Sequence, residues 1–141
     1  MFTNDRNQMR KVFFDSWKAH RENTSMDAMQ KIIANIIDLH PEYHALLEQE
    51  ANLDKDYTPE QGQTNPFLHM SMHIALHEQI STDRPAGIKS TYQLLIKKYG
   101  AAHDAEHAMM ECLGESLWQA QRDQTMPDEQ KYLNCLKNYL N

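Results

Sequence analysis

The chain has 141 residues, 20 acidic and 14 basic, for a formal charge of −6, with the signs interspersed and no basic face or tail. That length suits one domain with a core of its own, and the charge pattern argues against nucleic acid or anionic membrane as a partner. Cys112 and Cys135 form no CxxC pair, so neither a disulfide framework nor a thiolate zinc knuckle is expected, and a reducing cytoplasm fits best. The segment Met1 to Phe14 carries Asp5, Arg6, Arg10 and Lys11 and lacks a signal-peptide apolar run, and no later stretch approaches a membrane span.

Glycine and proline are scarce and apolar residues recur at steps of three and four, which predicts an all-α, single-domain bundle of about six to seven helices. The first, about Asp5 to Glu22, is expected to bury Met9, Phe13 and Trp17, with Val12 beside them. The second opens on a capping box from Thr24 to Asp27 and carries Met29, Ile32, Ile33, Ile36 and Ile37 on its apolar face. Pro41 disfavours helical geometry at His40, which breaks this helix, and itself suits the first turn of a third helix reaching about Ala51. Asn52 to Thr64 reads as the longest loop.

Asn65 and Pro66 form an N-cap and first turn for a fourth helix ending near Ser81. Pro85 is expected to start a fifth helix with Ile88, Tyr92, Leu95 and Tyr99 on one stripe, closed by Gly100 in a left-handed cap. The sixth runs from about Ala101 to Arg122. The seventh, starting at Pro127 after Thr125 as cap, is expected to bury Tyr132, Leu133, Leu136 and Leu140.

Histidine placement is the strongest chemical signal. Seven of the eight fall in three clusters, His40 and His44; His69, His73 and His77; His103 and His107, always four residues apart within a cluster. Random placement gives roughly 0.4 pairs at that spacing, against the four present. Side chains four apart on a helix stack as neighbours and can converge on one ion. Two series gain a carboxylate at the next step, Glu48 after His44 and Glu111 after His107.

A projection of the fourth helix at about 100° per residue, with His69 at zero, puts His73 near 40° and His77 near 80°, among Met70, Ile74, Leu76 and Ile80. The sixth helix places His103, His107 and Glu111 the same way, beside Met110, Gly114, Leu117 and Trp118. Buried imidazoles left without partners cost about 1–3 kcal/mol each, so a metal ion or a polar network must satisfy them. The lone His20 reads as surface. His40 reads equally as the end of a helix, where its ring complements the dipole.

Imidazole with carboxylate and no thiolate suits a divalent metal such as iron, manganese or zinc, with nickel and copper as alternatives; Met70 and Met72 beside the histidines raise copper(I) as a lesser one. The expected ligands are His73, His77, His107 and Glu111, joined by His69, His103, His44 and His40. Asp38, Glu48, Glu78, Asp104 and Glu106 are further carboxylates within reach as ligands, second partners of the rings, or a general base.

The stretches NPFLHMSMHIALHEQISTDRP, Asn65 to Pro85, and GAAHDAEHAMMECLGESLWQAQ, Gly100 to Gln121, with HPEYH at His40 to His44, resemble the hallmark segments of a family of small bacterial proteins known only as a domain of unknown function. That resemblance implies a bacterial protein with one helical domain and carries no activity across. In style, the stepping of histidines and carboxylates by four is similar to hemerythrin-like and DinB-like bundles, which hold di-iron or a single divalent metal. The ligand order differs from the first and the histidine number from the second. His103 and Asp104 resemble the adjacent pair of the HD phosphohydrolases, whose further ligands are not evident here.

Three functions follow as expectations. The leading one is a metal-binding helical protein with a non-haem mononuclear or dinuclear site, redox or hydrolytic in character. The second is a non-catalytic regulatory protein whose histidines respond to metal or protons, and the third is a purely structural histidine cluster. Whether the chain is an enzyme, its small-molecule or protein partner, and assembly as a homo-oligomer are left open. No phosphate loop, nucleophile elbow or nucleotide fingerprint is present in the sequence.

Overall fold

The computed structural model describes residues 2–55 and 65–141, the side chains of residues 2–6 and 54 excepted. As predicted the chain is all-α, with seven α-helices and no strand among the described residues: α1 (Phe2–Glu22), α2 (Ala28–Asp38), α3 (His44–Leu47), α4 (Pro66–Thr82), α5 (Ile88–Tyr99), α6 (Ala102–Asp123) and α7 (Glu129–Asn138). Short 3-10 turns at Pro41–Tyr43 and Glu50–Asp54 flank α3. No described helix is long and apolar enough to cross a membrane. The chain divides into two compact units, Met1–Ile74 and Ala75–Asn141.

In the first unit α1 packs on α2 and α3, and Phe13, Phe14, Trp17, Ile33, Ile36, Ile37, Leu47, Phe67 and Met70 form one buried apolar cluster. Phe67 joins it edge-on to Phe13, with ring centroids 5.8 Å apart, a favoured aromatic arrangement. The buried face of α1 centres on Arg10, Phe13, Phe14 and Trp17. Met9, expected inside, lies at the edge of that face and is 65% exposed, and Val12 also faces out.

Burial of Arg10 was not foreseen. Its guanidinium donates to the carbonyls of Leu53 and Lys55 at 2.9 and 2.8 Å and lies 4.6 Å from the Phe67 ring centroid. The charge thereby gains the acceptors and the π-face that burial demands. It also supplies the carbonyls that end the Glu50–Asp54 turn with a donor.

Local chemistry corrects several expected boundaries. The capping box of α2 is formed by Asp27 and Gln30, whereas Thr24 turns its hydroxyl back to the Ala19 carbonyl. Met29 on the same helix is exposed, while Ile33, Ile36 and Ile37 are buried as expected. The third helix is shorter than expected, one turn of α-helix between two 3-10 turns. Of the loop expected over Asn52–Thr64, residues 52–54 belong to the second of these turns and residues 56–64 lie outside the described residues. Asn65 caps α4 as predicted, its side-chain oxygen accepting from the Phe67 and Leu68 amides at 2.9 and 3.2 Å.

In the second unit α5, α6 and α7 pack on one another. α5 begins at Ile88 and not at Pro85, because the Asp83 carboxylate takes the Gly87 and Lys89 amides and holds the intervening residues in a turn. Gly100, at φ +81°, closes α5 in the left-handed cap expected of it. α7 is capped by Asp128, whose carboxylate accepts from the Lys131 amide, and so starts two residues after Pro127. Its buried residues are Tyr132 and Leu136, with Leu133 and Leu140 only half-buried. The Tyr132 hydroxyl donates to Gln79 Oε1 at 2.8 Å.

The cysteines correct the sequence reading most directly. Cys112 of α6 and Cys135 of α7 form a disulfide, with Cα atoms 5.8 Å apart. Their separation of 23 residues is meaningless as a linear motif. It becomes a contact because the chain turns back between the two helices.

Replacing Arg10 by Met, which keeps the apolar stem and removes the donors, is expected to lower stability by about 1.5–3 kcal/mol, the range for hydrogen bonds to a charged group. Urea unfolding monitored by circular dichroism measures it. A loss no larger than that of an exposed substitution such as Lys11→Met would show that the guanidinium contributes nothing.

Candidate metal centre

Pro41 fixes the geometry of the first histidine. α2 ends at Asp38, Leu39 caps it, and His40 takes φ −125° and ψ 72°, outside helical space. The helical-stacking argument therefore does not apply to His40 and His44, and their rings part. His40 is buried and donates its Nδ1–H to the Ile36 carbonyl at 2.6 Å. Because a carbonyl only accepts, the proton sits on Nδ1 and the lone pair of the neutral ring on Nε2. His44 instead stacks on Trp17, with centroids 4.4 Å apart, and donates Nε2–H to the Ile37 carbonyl at 2.9 Å.

α4 supplies the partners of His40. His69 Nε2 lies 3.1 Å from His40 Nε2. The ring centroids of His40, His69 and His73 are 4.8–4.9 Å apart in all three pairings, at steep interplanar angles. One ring nitrogen of His40 lies within 4.8 Å of one on His73. His40 and His73, both buried, are among the residues that could hold a metal ion, and the half-buried His69 lies against them.

On α4 the buried line runs Phe67, Met70, His73, Leu76, in steps of three. His69, one turn before His73, is half-buried, and His77, one turn after it, is exposed.

Tyr43 completes the surroundings of the three rings. It stacks nearly parallel on His40, with centroids 5.4 Å apart, and meets His69 edge-on at 6.0 Å. Burial, with the neighbouring Glu42 charge second, pushes its hydroxyl above the ordinary tyrosine value. The sequence HPEYH contained this residue, but nothing in its spacing singles it out. His20, read as surface, is half-buried with its ring 5.3 Å from that of Trp17.

The second unit carries its own pair. His103 and His107, one turn apart at the start of α6, are half-buried with ring centroids 4.1 Å apart, and each offers a ring nitrogen within 4.8 Å of the other. Here spacing by four does bring rings together as predicted. Glu106 between them accepts a hydrogen bond from the Tyr92 hydroxyl at 3.3 Å.

Glu111 is exposed, as are Asp104 and the other carboxylates Asp38, Glu48 and Glu78, with Glu48 3.7 Å from the Arg21 guanidinium. The face of α6 also differs from expectation. Met110 is buried, but Leu117 and Trp118 are exposed, and the Arg122 guanidinium covers the Trp118 ring at 4.7 Å. Arg122 lies four residues on and can reach the indole through a cation–π contact.

The family model described as Domain of unknown function (DUF1841) matches residues 5–138. The chain belongs to that family. No curated protein and no solved structure matches the chain.

Burial, then the Glu106 charge and its hydrogen bond, raise the Tyr92 pKa from 10.0 to about 12. Since the folded value lies above the unfolded one, the stabilisation from neutral Tyr92 is complete below pH 10 and is lost as pH rises towards 12. Tyr92→Phe is therefore expected to make the fall in melting temperature between pH 10 and 12 shallower. An unchanged slope would contradict this role of the Tyr92 and Glu106 pair.

Proposed function

We propose that this protein binds a divalent metal through the imidazoles of His40, His69 and His73, with His103 and His107 as a second set of donors. The observation that carries the reading is the separation of the two Nε2 atoms. Nitrogens bound to one ion at about 2.0–2.1 Å lie about 2.9 Å apart at a right angle and about 3.3 Å apart at the tetrahedral angle. His40 and His69 hold theirs at 3.1 Å, within that range.

His40 is also prepared as a ligand. Its Nδ1–H bond to the Ile36 carbonyl fixes ring and tautomer and leaves Nε2 as the donor, the arrangement that a second partner gives most metal-bound histidines. An all-nitrogen donor set suits zinc or iron(II) better than a hard cation, with manganese a weaker fit. Three protein ligands leave at least one coordination position for water or a small molecule, and a divalent ion there supplies Lewis acidity for hydrolytic chemistry or a non-haem redox centre.

The match of a single family model across residues 5–138 supports treating the chain as one functional domain. A cytoplasmic location and a small-molecule ligand for the open position are parts of the same proposal.

One observation favours a second reading, a metal-free network. With the His40 proton on Nδ1, the contact from His69 is also a sound N–H···N hydrogen bond. The two readings differ in what happens to metal.

Elemental analysis of untagged protein, before and after incubation with zinc, iron(II) or manganese and removal of excess ion, is the test. Wild type is expected to retain at least one equivalent, and His40→Ala with His73→Ala to weaken binding by about 100-fold or more. His103→Ala with His107→Ala reports the second set separately. Folded wild type that neither carries nor takes up any of the three ions would overturn the metal reading and leave the network. Because protons compete with metal for imidazole nitrogen, uptake is expected to weaken as pH is lowered.

A further inference from the structure

The disulfide lies outside the histidine chemistry, and its setting is not that of an inert structural bond. Cys112 is 1% exposed within α6, while Cys135 on α7 is half-buried. Both line an open cleft of about 300 Å³ with Glu115, Ser116, Lys131 and Asn134. Of the two cysteines, Cys135 is the more exposed to a reagent entering that cleft, and Lys131 in the lining is an attraction for an incoming thiolate.

We infer that Cys112–Cys135 is a reversible thiol–disulfide exchange site for dithiol reductants, attacked at Cys135. The inference does not depend on the metal reading. A reductant thiolate bonds to Cys135 Sγ, the Cys112–Cys135 bond breaks, and Cys112 leaves with the electron pair and takes a proton. The second thiol of the reductant, as thiolate, then attacks the reductant sulfur of the mixed disulfide. Cys135 is released as a thiolate and protonated, and the reductant leaves as its own disulfide. Two electrons pass from the dithiol to the cysteine pair, and no other oxidant or reductant is needed.

α7 has anchors that survive this reaction. Tyr132 and Leu136 are buried, Asp128 caps the helix, and Lys98 donates to the Tyr139 and Asn141 carbonyls. The two sulfurs therefore stay close after reduction, and reoxidation needs no search by the chain. In a reducing compartment, disulfides of this kind are redox-active instead of permanent. Leaving-group burial sets the pace, because a thiolate at Cys112 departs into poorly solvated surroundings.

The full-length protein, prepared without reductant, is exposed to dithiothreitol in native buffer and sampled by acid quench and maleimide labelling with peptide mass mapping. The expected result is complete opening without loss of the helical circular dichroism signal, Cys135 labelling at least about tenfold faster than Cys112, and recovery of the disulfide when the dithiol is exchanged for oxidised glutathione, which takes the two electrons and leaves as two reduced glutathiones. With Cys112→Ser, oxidised glutathione is expected to add one equivalent at Cys135. A bond that opens only in denaturant, a helical signal that collapses on reduction, or equal labelling of the two thiols would each overturn the inference. Wild-type labelling rates decide the matter even if Cys112→Ser does not fold.

Discussion

A single proline constraint organises the first histidine site. Pro41 forbids His40 a comfortable helical conformation, so α2 stops and the His40 ring turns back onto the carbonyl of Ile36. That one bond satisfies a helix-end acceptor and settles which nitrogen carries the proton. It also leaves Nε2 directed at His69. Had α2 continued, His40 and His44 would have shared a face. The break sends one ring to the α4 histidines and the other to Trp17.

The three rings sit against an apolar support. Phe67 and Met70 on α4 belong to the buried cluster of the first unit, Tyr43 and Ile74 pack against that cluster, and His73 lies between these positions along the helix. Such surroundings limit water and strengthen any electrostatic interaction between the imidazoles and a cation. They also make the site demanding, since a buried ring nitrogen with neither bond nor ion costs about 1–3 kcal/mol. Arg10 shows the same rule, a buried charge tolerated because two carbonyls and the Phe67 ring face receive it.

Helical periodicity, proline and glycine made most of the architecture legible. Asn65 with Pro66, the break at His40 and the stop at Gly100 are each decided by local chemistry, and each lies where the sequence predicts. Errors arose where two local solutions compete. Asp27 and Thr24 are both able to cap α2, and Asp83 outbids Pro85 for the start of α5 by binding two amides. Spacing by four brings the rings of His69 and His73, and of His103 and His107, together because each pair lies on one helix. It could not reveal that His40 meets α4, that Tyr43 stacks on it, or that Cys112 meets Cys135, since these contacts join different elements. Nor could an idealised projection tell His77, which is exposed, from the buried His73, because it carries angles and not the neighbours that cover each turn.

Central to this account is coordination by imidazole nitrogen, and X-ray absorption spectroscopy of the zinc-loaded protein tests it most directly. The account predicts a first shell of nitrogen or oxygen at about 2.0–2.1 Å, with the outer-shell scattering of imidazole rings and no sulfur. That ring scattering should diminish in His40→Ala. An oxygen-only shell that is the same in wild type and His40→Ala would contradict it, because the ion would then be held by surface carboxylates or water and not by the histidines.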